Sequence, residues 1–509
     1  MPNLRAAYHA SEEKTTLLVL ALAAFLVGGV LSIVFISPLA TLGVIVAIFF
    51  VAMTIMRPLW SLTFLAVYLP FEPFLLKWMP DDLYVYARFF SEALIYLIVA
   101  VAILRGVIKG ERLPSSPITL PFVLFLIVLG ASSIINFTEP TIAIFGIRSI
   151  IRFMLVFFAI LFLKPSKDYI RHLTMILFGV VMIQALLGLA QAAFGGNGLD
   201  AFLLPSETRT FGEYQITEGT TQFWDPGSRV FATLGRYDRL GTFLAFFLVL
   251  AVGFLYEKKY RYEHKELWWL FILAIPALAL TYSRSSWFGF LLGFLFIALW
   301  LKRDRRVMVG MGIVGAVIAG YLAYSGLVVS QLVDLPQQTI VERFFESFSA
   351  ERFRGEYSGL GRVFWIVQTV TTVVPHAPVF GWGPGSYGGG AAILFHNTRV
   401  YDELGLPFGV YGTGGYIDNN WFSLWGETGT LGMIFYLWLY GALFFYALRL
   451  GRKSQDPFTR ALALGFVGAM IAVVLNAFLA TFLEVRTLAV YLWMYGGFIV
   501  VLGQREKIE

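Results

Sequence analysis

The chain has 509 residues, of which 58% are hydrophobic and only 14% are charged, and its mean hydropathy is +0.75. Many of its apolar runs approach the ~20 residues that span a bilayer, so one water-soluble core cannot bury them. The composition excludes a soluble globular protein, and the absence of cysteine excludes disulfides, thiolate metal sites and cysteine nucleophiles.

Apolar runs recur along the chain and predict an all-α, polytopic integral membrane protein with about 12–14 transmembrane helices. The runs cover residues 15–35, 38–56, 58–76, 82–104, 117–136, 142–163, 169–194, 230–256, 267–282, 285–301, 307–325, 430–449, 459–480 and 487–503. The first run is too long for a signal-peptide core, and we expect it to be an uncleaved span. The third contains Pro70, Glu72 and Pro73, which predict a broken or re-entrant element.

Three regions follow from this pattern. Residues 1–325 are predicted to form N-terminal transmembrane helices with an outer loop at 195–229, and residues 430–509 to form C-terminal ones. Between them, residues 326–429 form the one sizeable polar segment, where we expect the chemistry. Apolar and charged residues alternate at near-helical spacing at 336–355 and 360–375, which predicts amphipathic helices lying in the membrane interface.

The basic residues predict the orientation of the spans. With the N-terminus inside, 23 of the 38 lysines and arginines fall in short loops, the N-terminal segment and the tail on one side. The positive-inside rule makes that side the cytoplasm, so we expect both termini to be cytoplasmic and the 326–429 segment to lie outside.

The basic residues of the outer side comprise 14 arginines and one lysine. Topology requires only positive charge, so this bias indicates that the bidentate guanidinium is needed, as for phosphate recognition. The arginines near the outer ends of predicted spans are candidate binding residues: Arg148, Arg152, Arg229, Arg236, Arg239 and Arg284. Each alone could be a snorkelling or salt-bridged boundary residue, but together they predict an anionic site at the outer surface.

The glycine-rich stretch Phe380-Gly-Trp-Gly-Pro-Gly-Ser-Tyr387 lacks the Lys-Ser/Thr of a nucleotide-binding loop, and no strand is predicted before it. A tight turn that brings backbone close to a ligand or a helix is the better interpretation. His396 is too isolated to predict a zinc site and is kept as a candidate substrate-binding residue. Weak binding of a divalent ion by carboxylates is the only metal hypothesis left open.

Three motifs in this order resemble the O-antigen ligase and polysaccharide polymerase superfamily of membrane glycosyltransferases. They are the hairpin Thr281-Tyr-Ser-Arg-Ser-Ser-Trp287, Gly361-Arg-Val-Phe-Trp365 followed by Pro378-x-x-Gly-x-Gly-Pro-Gly385, and the block that ends Glu427-x-Gly-x-x-Gly432. The stretch from Val230 to Ala245 also looks like the family's span after its first outer loop. The resemblance covers about residues 140–450.

The resemblance implies a GT-C-like fold and an enzyme of the bacterial inner membrane whose active site faces the periplasm. Such enzymes work without metal or other cofactor and take a glycan from an undecaprenyl-pyrophosphate-linked donor. They pass it to a glycan or lipid-linked acceptor in cell-envelope polysaccharide and lipopolysaccharide synthesis. The resemblance thus implies membrane lipids and lipid-linked glycans as partners, and no nucleic acid. It assigns Arg284 and Arg362 to the pyrophosphate, with Arg148 and Arg152 as helpers.

The chain departs from the family's ligases at the start of the terminal block. Where they usually have His-Asn, this sequence has Asp418-Asn419, which is more similar to members that polymerise repeat units or export other glycans. A carboxylate there can act as general base for an incoming sugar hydroxyl, with inversion at the anomeric carbon. Alternatively, Asp418 is the N-cap of the next helix. Glu427 lies nine residues later on roughly the opposite helix face, where we expect it to pair with an outer arginine. Asn419 and Glu427 are further candidate substrate-binding residues.

These features favour a polysaccharide polymerase, with an O-antigen ligase that transfers to lipid A core as the alternative. A flippase or transporter of lipid-linked glycans is the alternative from another class, although charges in a transporter would line the depth of a central cavity. A peptidoglycan polymerase of the shape, elongation and division family shares the architecture but not these motifs.

Overall fold

The structure is a computed structural model that describes residues 38–507, except 111–114, 195–197, 206–207, 212–213, 218–228, 264, 333–337 and 413. Each predicted apolar run within these residues contains a helix, whereas the first run, residues 15–35, lies outside them.

The helices of the first half are α1 (Pro38–Met56), α2 (Pro58–Tyr68), α3 (Glu72–Lys77), α4 (Asp81–Ile108), α5 (Thr119–Ile135), α6 (Pro140–Ile151), α7 (Met154–Leu163), α8 (Lys167–Phe194), α9 (Leu199–Leu203), α10 (Tyr237–Leu255) and α11 (Lys258–Glu263). Between α9 and α10, an antiparallel hairpin pairs β1 (Thr208–Phe211) with β2 (Tyr214–Thr217), and Thr208 lies opposite Thr217.

The helices of the second half are α12 (Glu266–Leu280), α13 (Arg284–Leu295, continued by a π-helix over Phe296–Leu301), α14 (Arg305–Ser330), α15 (Ile340–Phe345), α16 (Ala350–Ser358), α17 (Arg362–Gln368, continued by a π-helix over Thr369–Val373 and a turn over Val374–His376), α18 (Gly390–Leu394), α19 (Arg399–Leu404), α20 (Asn420–Lys453), α21 (Pro457–Leu479) and α22 (Arg486–Arg505). Short 3-10 helices cover Glu346–Phe348, Val410–Gly412 and Phe482–Glu484.

Among the described residues, eight helices are long and apolar enough to cross a membrane. The pair α6 and α7, bent by 58°, makes a ninth if it is one span, and four further apolar helices have 10–17 residues. The chain is therefore an all-α polytopic membrane protein, as the composition predicts. The expected break in the third run is also present, because α2 ends at Tyr68 and α3 begins at Glu72.

Helices α10, α21 and α22 form the centre of the bundle and are buried along most of their length. Small residues let α10 and α21 approach closely: a Cβ at Gly253 would lie 2.2 Å from the carbonyl oxygen of Ala461. Close contact between backbones is a usual way for helices to associate in membranes, where apolar surface alone gives little preference.

The segment between α14 and α20 is built from short helices. Within it, α15 and α16 are separated because the Ser349 hydroxyl accepts the Arg352 amide at 3.3 Å and so begins a new helix. A small apolar core of its own holds the segment together: Trp365, Val373, Tyr387, Val400, Tyr401 and Ile417.

Candidate functional site

The glycine-rich segment, residues 380–387, packs its backbone against α20 where that helix is broken. The break is at Gly429, whose φ of 66° lies in the left-handed region. Nearby, the Trp382 amide donates to the Gly426 carbonyl oxygen at 2.9 Å. A Cβ at Gly429 would lie 2.3 Å from the carbonyl oxygen of Val379, so only glycine fits. The segment is thus a tight turn held against a helix.

Glu427 is buried just before this break, with 2% of its surface exposed. Its Oε1 accepts the backbone amide of Tyr387 at 3.3 Å, and the Ser423 hydroxyl donates to the Tyr387 carbonyl oxygen at 2.9 Å. In the described residues Glu427 therefore anchors the glycine-rich segment, and the expectation of an arginine partner is not met. A direct contact of Glu427 with substrate stays a prediction.

Arg362 and Asp418, which are far apart in sequence, form an ion pair. The Nη2 of Arg362 donates to the Oδ2 of Asp418 at 3.1 Å, and the two side chains are 39% and 29% exposed. Arg362 begins α17, and its backbone amide donates to Glu356 at 3.0 Å. Burial disfavours the guanidinium charge, yet Asp418 and Glu356 together raise the pKa of Arg362 above its ordinary value. The pair keeps a permanent cation beside a carboxylate that is partly exposed.

The N-cap of α20 is Asn419 rather than Asp418. The Asn419 Oδ1 accepts the Phe422 amide at 3.1 Å, while Asp418 has a left-handed φ of 51°. The interpretation of Asp418 as a cap is therefore wrong, because the helix begins one residue later than that interpretation requires. The Asp418 carboxylate is directed to Arg362 instead.

A chain of alternating charges connects Arg362 with Arg284. The carboxylate of Glu346 is fully buried and lies 2.8 Å from Nη1 of Arg284. Arg352 pairs with the same carboxylate and, at 3.0 Å, with Glu356. The other oxygen of Glu356 accepts the Arg362 amide. The two arginines that resemble the family's pyrophosphate ligands are thus linked through carboxylates.

Two candidate arginines, Arg229 and Arg236, lie just before α10, and Arg236 is affected by the charge of Asp418. Arg236 donates to both oxygens of Asp238 at 2.9 and 3.0 Å. The charge of Asp238 raises the pKa of Arg236 against the effect of burial, and Asp418 contributes in the same direction. The buried guanidinium of Arg229 lies 4.2 Å from the ring of Tyr237. Arg236 is therefore within electrostatic reach of Asp418.

Tyr416 joins this group to a further carboxylate. Burial and then Glu484 raise the pKa of Tyr416, Arg236 and Arg239 lower it, and Asp418 raises it. The charges of these four groups therefore all act on the phenol, and 40% of the surface of Tyr416 remains exposed.

Arg148 and Arg152 are placed by the bend between α6 and α7, and both bind Glu92 of α4. Arg148 contacts its two oxygens at 2.6 Å, and Arg152 contacts one at 3.2 Å. Arg152 also donates to the carbonyl oxygen of Glu484 at 2.9 Å, and the Glu484 carboxylate accepts the Gly390 amide at 2.9 Å. Burial raises the pKa of Glu484, while the Gly390 amide and Arg152 oppose the rise. Both arginines are salt-bridged to Glu92, and Arg152 also connects this pair to Glu484.

His396 is exposed, and its ring packs on Phe408 with the centroids 4.6 Å apart. The sequence interpretation missed the carboxylates Glu346, Glu356 and Glu484. The first two could have been found, because Arg343, Glu346, Arg352 and Glu356 recur at helical spacing. Glu484 carries no such signal, since it follows α21 in an otherwise apolar stretch.

The arrangement combines guanidinium groups that can bind an anion with an accessible carboxylate that can accept a proton. Guanidinium groups suit phosphate oxygens because they offer several donors in a fixed plane. A carboxylate next to such an anion can deprotonate a hydroxyl group that approaches it.

Residues 269–437 match the model of the family described as O-antigen ligase. The match confirms the resemblance to the O-antigen ligase and polymerase superfamily and supports a membrane glycosyltransferase-like role. No curated protein matches the chain. The matched region includes Arg284, Arg362 and Asp418, whereas Arg148 and Arg236 precede it.

Proposed function

We propose that this chain, whose residues 269–437 match the O-antigen ligase family model, is a polysaccharide polymerase of the bacterial inner membrane. It takes a glycan from an undecaprenyl-pyrophosphate-linked donor on the periplasmic face and adds it to a second lipid-linked glycan. The observation that carries the proposal is the Arg362–Asp418 pair, which sets a cation for a diphosphate beside a base for a hydroxyl.

In the proposed reaction, Asp418 accepts the proton of the acceptor hydroxyl while the hydroxyl oxygen attacks the anomeric carbon of the donor. The bond from that carbon to the diphosphate oxygen breaks, and its electron pair leaves with undecaprenyl diphosphate. Arg362 and Arg284 stabilise the charge that develops on the leaving group. One displacement inverts the anomeric carbon, and no metal is required because arginines supply the positive charge.

The choice of polymerase over ligase depends on the Asp418-Asn419 pair, which replaces the His-Asn usual in the family's ligases. A polymerase uses the same lipid-linked glycan as donor and acceptor, whereas an O-antigen ligase transfers it once to lipid A core. Purified protein in liposomes with a lipid-linked repeat unit distinguishes them. A ladder of lengthened lipid-linked products supports the polymerase, and a product formed only when lipid A core is added supports the ligase.

Two substitutions test the site in this assay. Arg362→Lys keeps the charge but loses the fork, and Asp418→Asn keeps the shape but cannot accept the proton. We expect each to lower turnover by roughly 10²-fold or more, the usual effect of removing one such group. Arg354→Lys, at a side chain that is 76% exposed, is the matched control and should be silent.

Near-normal turnover in both site variants would overturn the assignment of Arg362 to the diphosphate of the donor and of Asp418 as the base. Movement of the donor across the liposome membrane with no new glycosidic bond would establish the flippase instead. Because the mechanism uses no metal, turnover should survive EDTA, and a loss restored by magnesium would contradict it.

A further inference from the structure

Backbone bonds join Phe408–Val410 to Gly415–Tyr416, and these two sides of a turn carry or flank two tyrosines, Tyr411 and Tyr416. The Val410 amide donates to the carbonyl oxygen of Tyr416 at 2.6 Å, and the Gly415 amide donates to that of Phe408 at 3.1 Å. The turn ends at Tyr416, two residues before Asp418, so its backbone helps to position both residues.

Tyr411 sits on this turn in a backbone conformation that aromatic residues rarely adopt, with φ at 55° and ψ at 16°. Its amide donates to the carbonyl oxygen of Leu360 at 3.0 Å, two residues before Arg362. Although the backbone is strained and tethered, the side chain is 63% exposed. Strain held in place at an exposed side chain is typical of positions that contact a ligand.

Charged groups of the proposed site act on both phenols. Burial raises the pKa of Tyr411, and the other groups that act on it are Glu356, Arg362, Asp418 and Arg352. Asp418 also acts on the pKa of Tyr416. The backbone agrees with this, because Tyr411 is bonded to Leu360, two residues before Arg362, and Tyr416 lies two residues before Asp418. Both tyrosines keep a large exposed surface.

We infer that Tyr411 and Tyr416 form the subsite for the acceptor sugar, in which a pyranose ring packs on the tyrosine rings and directs a hydroxyl to Asp418. The inference rests on the proposed function, since it assigns a substrate to the same site. The C–H face of a pyranose is apolar and fits the face of an aromatic ring. A diphosphate does not fit there, because the face of an aromatic ring carries negative charge. The subsite therefore suits the acceptor sugar and not the donor diphosphate.

Direct binding of simple sugars tests the subsite without turnover. The full-length protein is held in amphipol, because maltoside detergents carry sugar headgroups, and a panel of methyl hexopyranosides is measured by saturation-transfer NMR. Tyr411→Asn removes the ring but tolerates a left-handed backbone, and Tyr411→Phe keeps the ring. Tyr416→Ala removes the second ring, and Tyr86→Ala is the control at a tyrosine that is 76% exposed on α4.

We expect Tyr411→Asn and Tyr416→Ala each to weaken sugar binding by about 3–10-fold, and the double variant to abolish it. Tyr411→Phe and Tyr86→Ala should bind like the wild type. Equal binding by the wild type and the double variant would overturn the subsite. So would a wild type that shows no saturation transfer to any sugar of the panel.

Steady-state kinetics separates a failure of this inference from a failure of the proposed function. Because the native lipid-linked glycan is both donor and acceptor, the acceptor is supplied as a labelled analogue whose anomeric oxygen is replaced by a methylene group, so that it cannot act as donor. If the wild type polymerises glycan, Tyr411→Asn should raise the KM for this labelled acceptor and leave the KM for the native donor, measured by transfer to the label, unchanged. Polymerisation with an unchanged acceptor KM in this variant refutes the subsite and leaves the proposed function intact. Ring-dependent sugar binding in a wild type that transfers no glycan supports the subsite and refutes the proposed function.

Discussion

Replacing Glu346 by glutamine should lower the free energy of local opening of residues 340–358. Its carboxylate is fully buried and lies 2.8 Å from Arg284 and 2.9 Å from Arg343, with Arg352 as a third partner. Glutamine keeps the shape but leaves three guanidinium groups facing one another without a counter-charge. Removing one partner of a buried ion pair costs about 3–5 kcal/mol, so we expect a loss in this range for the opening of residues 340–358.

Amide hydrogen exchange measures this opening directly. A loss of about 3 kcal/mol corresponds to exchange that is roughly 100-fold faster, since each 1.4 kcal/mol is a factor of ten. The affected amides should be those of α15 and α16, with the central helices α10, α21 and α22 unchanged, because the carboxylate joins α15 and α16 to the start of α13.

Glu351→Gln is the matched control, because Glu351 pairs with Arg354 in the same segment at 2.8 Å but with both side chains well exposed. Exposed pairs contribute about 0–1 kcal/mol, so its exchange should stay within a few-fold of the wild type. Salt should weaken the small effect of Glu351 and leave the Glu346 effect largely unchanged. Equal exchange in the two variants would refute the reasoning that Glu346 holds the arginines together.

Two further predictions concern orientation and the helix break. The chain has no native cysteine, so single cysteines can be introduced by Arg354→Cys and Lys453→Cys. The first should react with an impermeant thiol reagent from outside and the second should not. Labelling of the Lys453→Cys variant alone would reverse the proposed orientation. Gly429→Ala should destabilise the purified protein by several kcal/mol and abolish transfer, because its Cβ would lie 2.3 Å from a carbonyl oxygen and its φ is positive. Gly441→Ala in the same helix is the control, because its Cβ would meet nothing within 4 Å. In thermal melting it should be neutral or stabilising by about 0.5–1 kcal/mol. Equal melting of the two variants would contradict this account of the break.

The sequence predicts the helices of this chain well because each span must be apolar for its whole length, which leaves a strong local signal. The break near Pro70 is also predicted, because proline and a buried glutamate interrupt the run. The two short helices around Ser349 were harder to foresee, since the alternation of residues 336–355 reads as one amphipathic helix and a single cap divides it.

The sequence predicts the arginines and the candidate base of the site but not which charged residues form ion pairs. A run of outer arginines indicates an anionic ligand, yet which carboxylate neutralises which arginine depends on tertiary contacts between distant segments. Asp418 and Asn419 illustrate the difficulty, because either residue is a favourable N-cap and a shift of one position decides which side chain remains available. Glu427 illustrates it again: a motif position suggested an ionic partner, and backbone amides of a neighbouring turn provide the bonds instead.

The position of the charges also indicates why the matched region does not by itself make a complete site. Arg284, Arg362 and Asp418 lie within residues 269–437, but Arg236 and Arg152 come from the helices before it and Glu484 from the stretch after it. Arg236 acts on Asp418, and Arg152 donates to the Glu484 backbone whose carboxylate holds the Gly390 amide. The charged groups linked to the candidate site therefore come from three parts of the chain. Substitutions in the two flanking parts would change these surroundings while leaving the motifs of residues 269–437 intact.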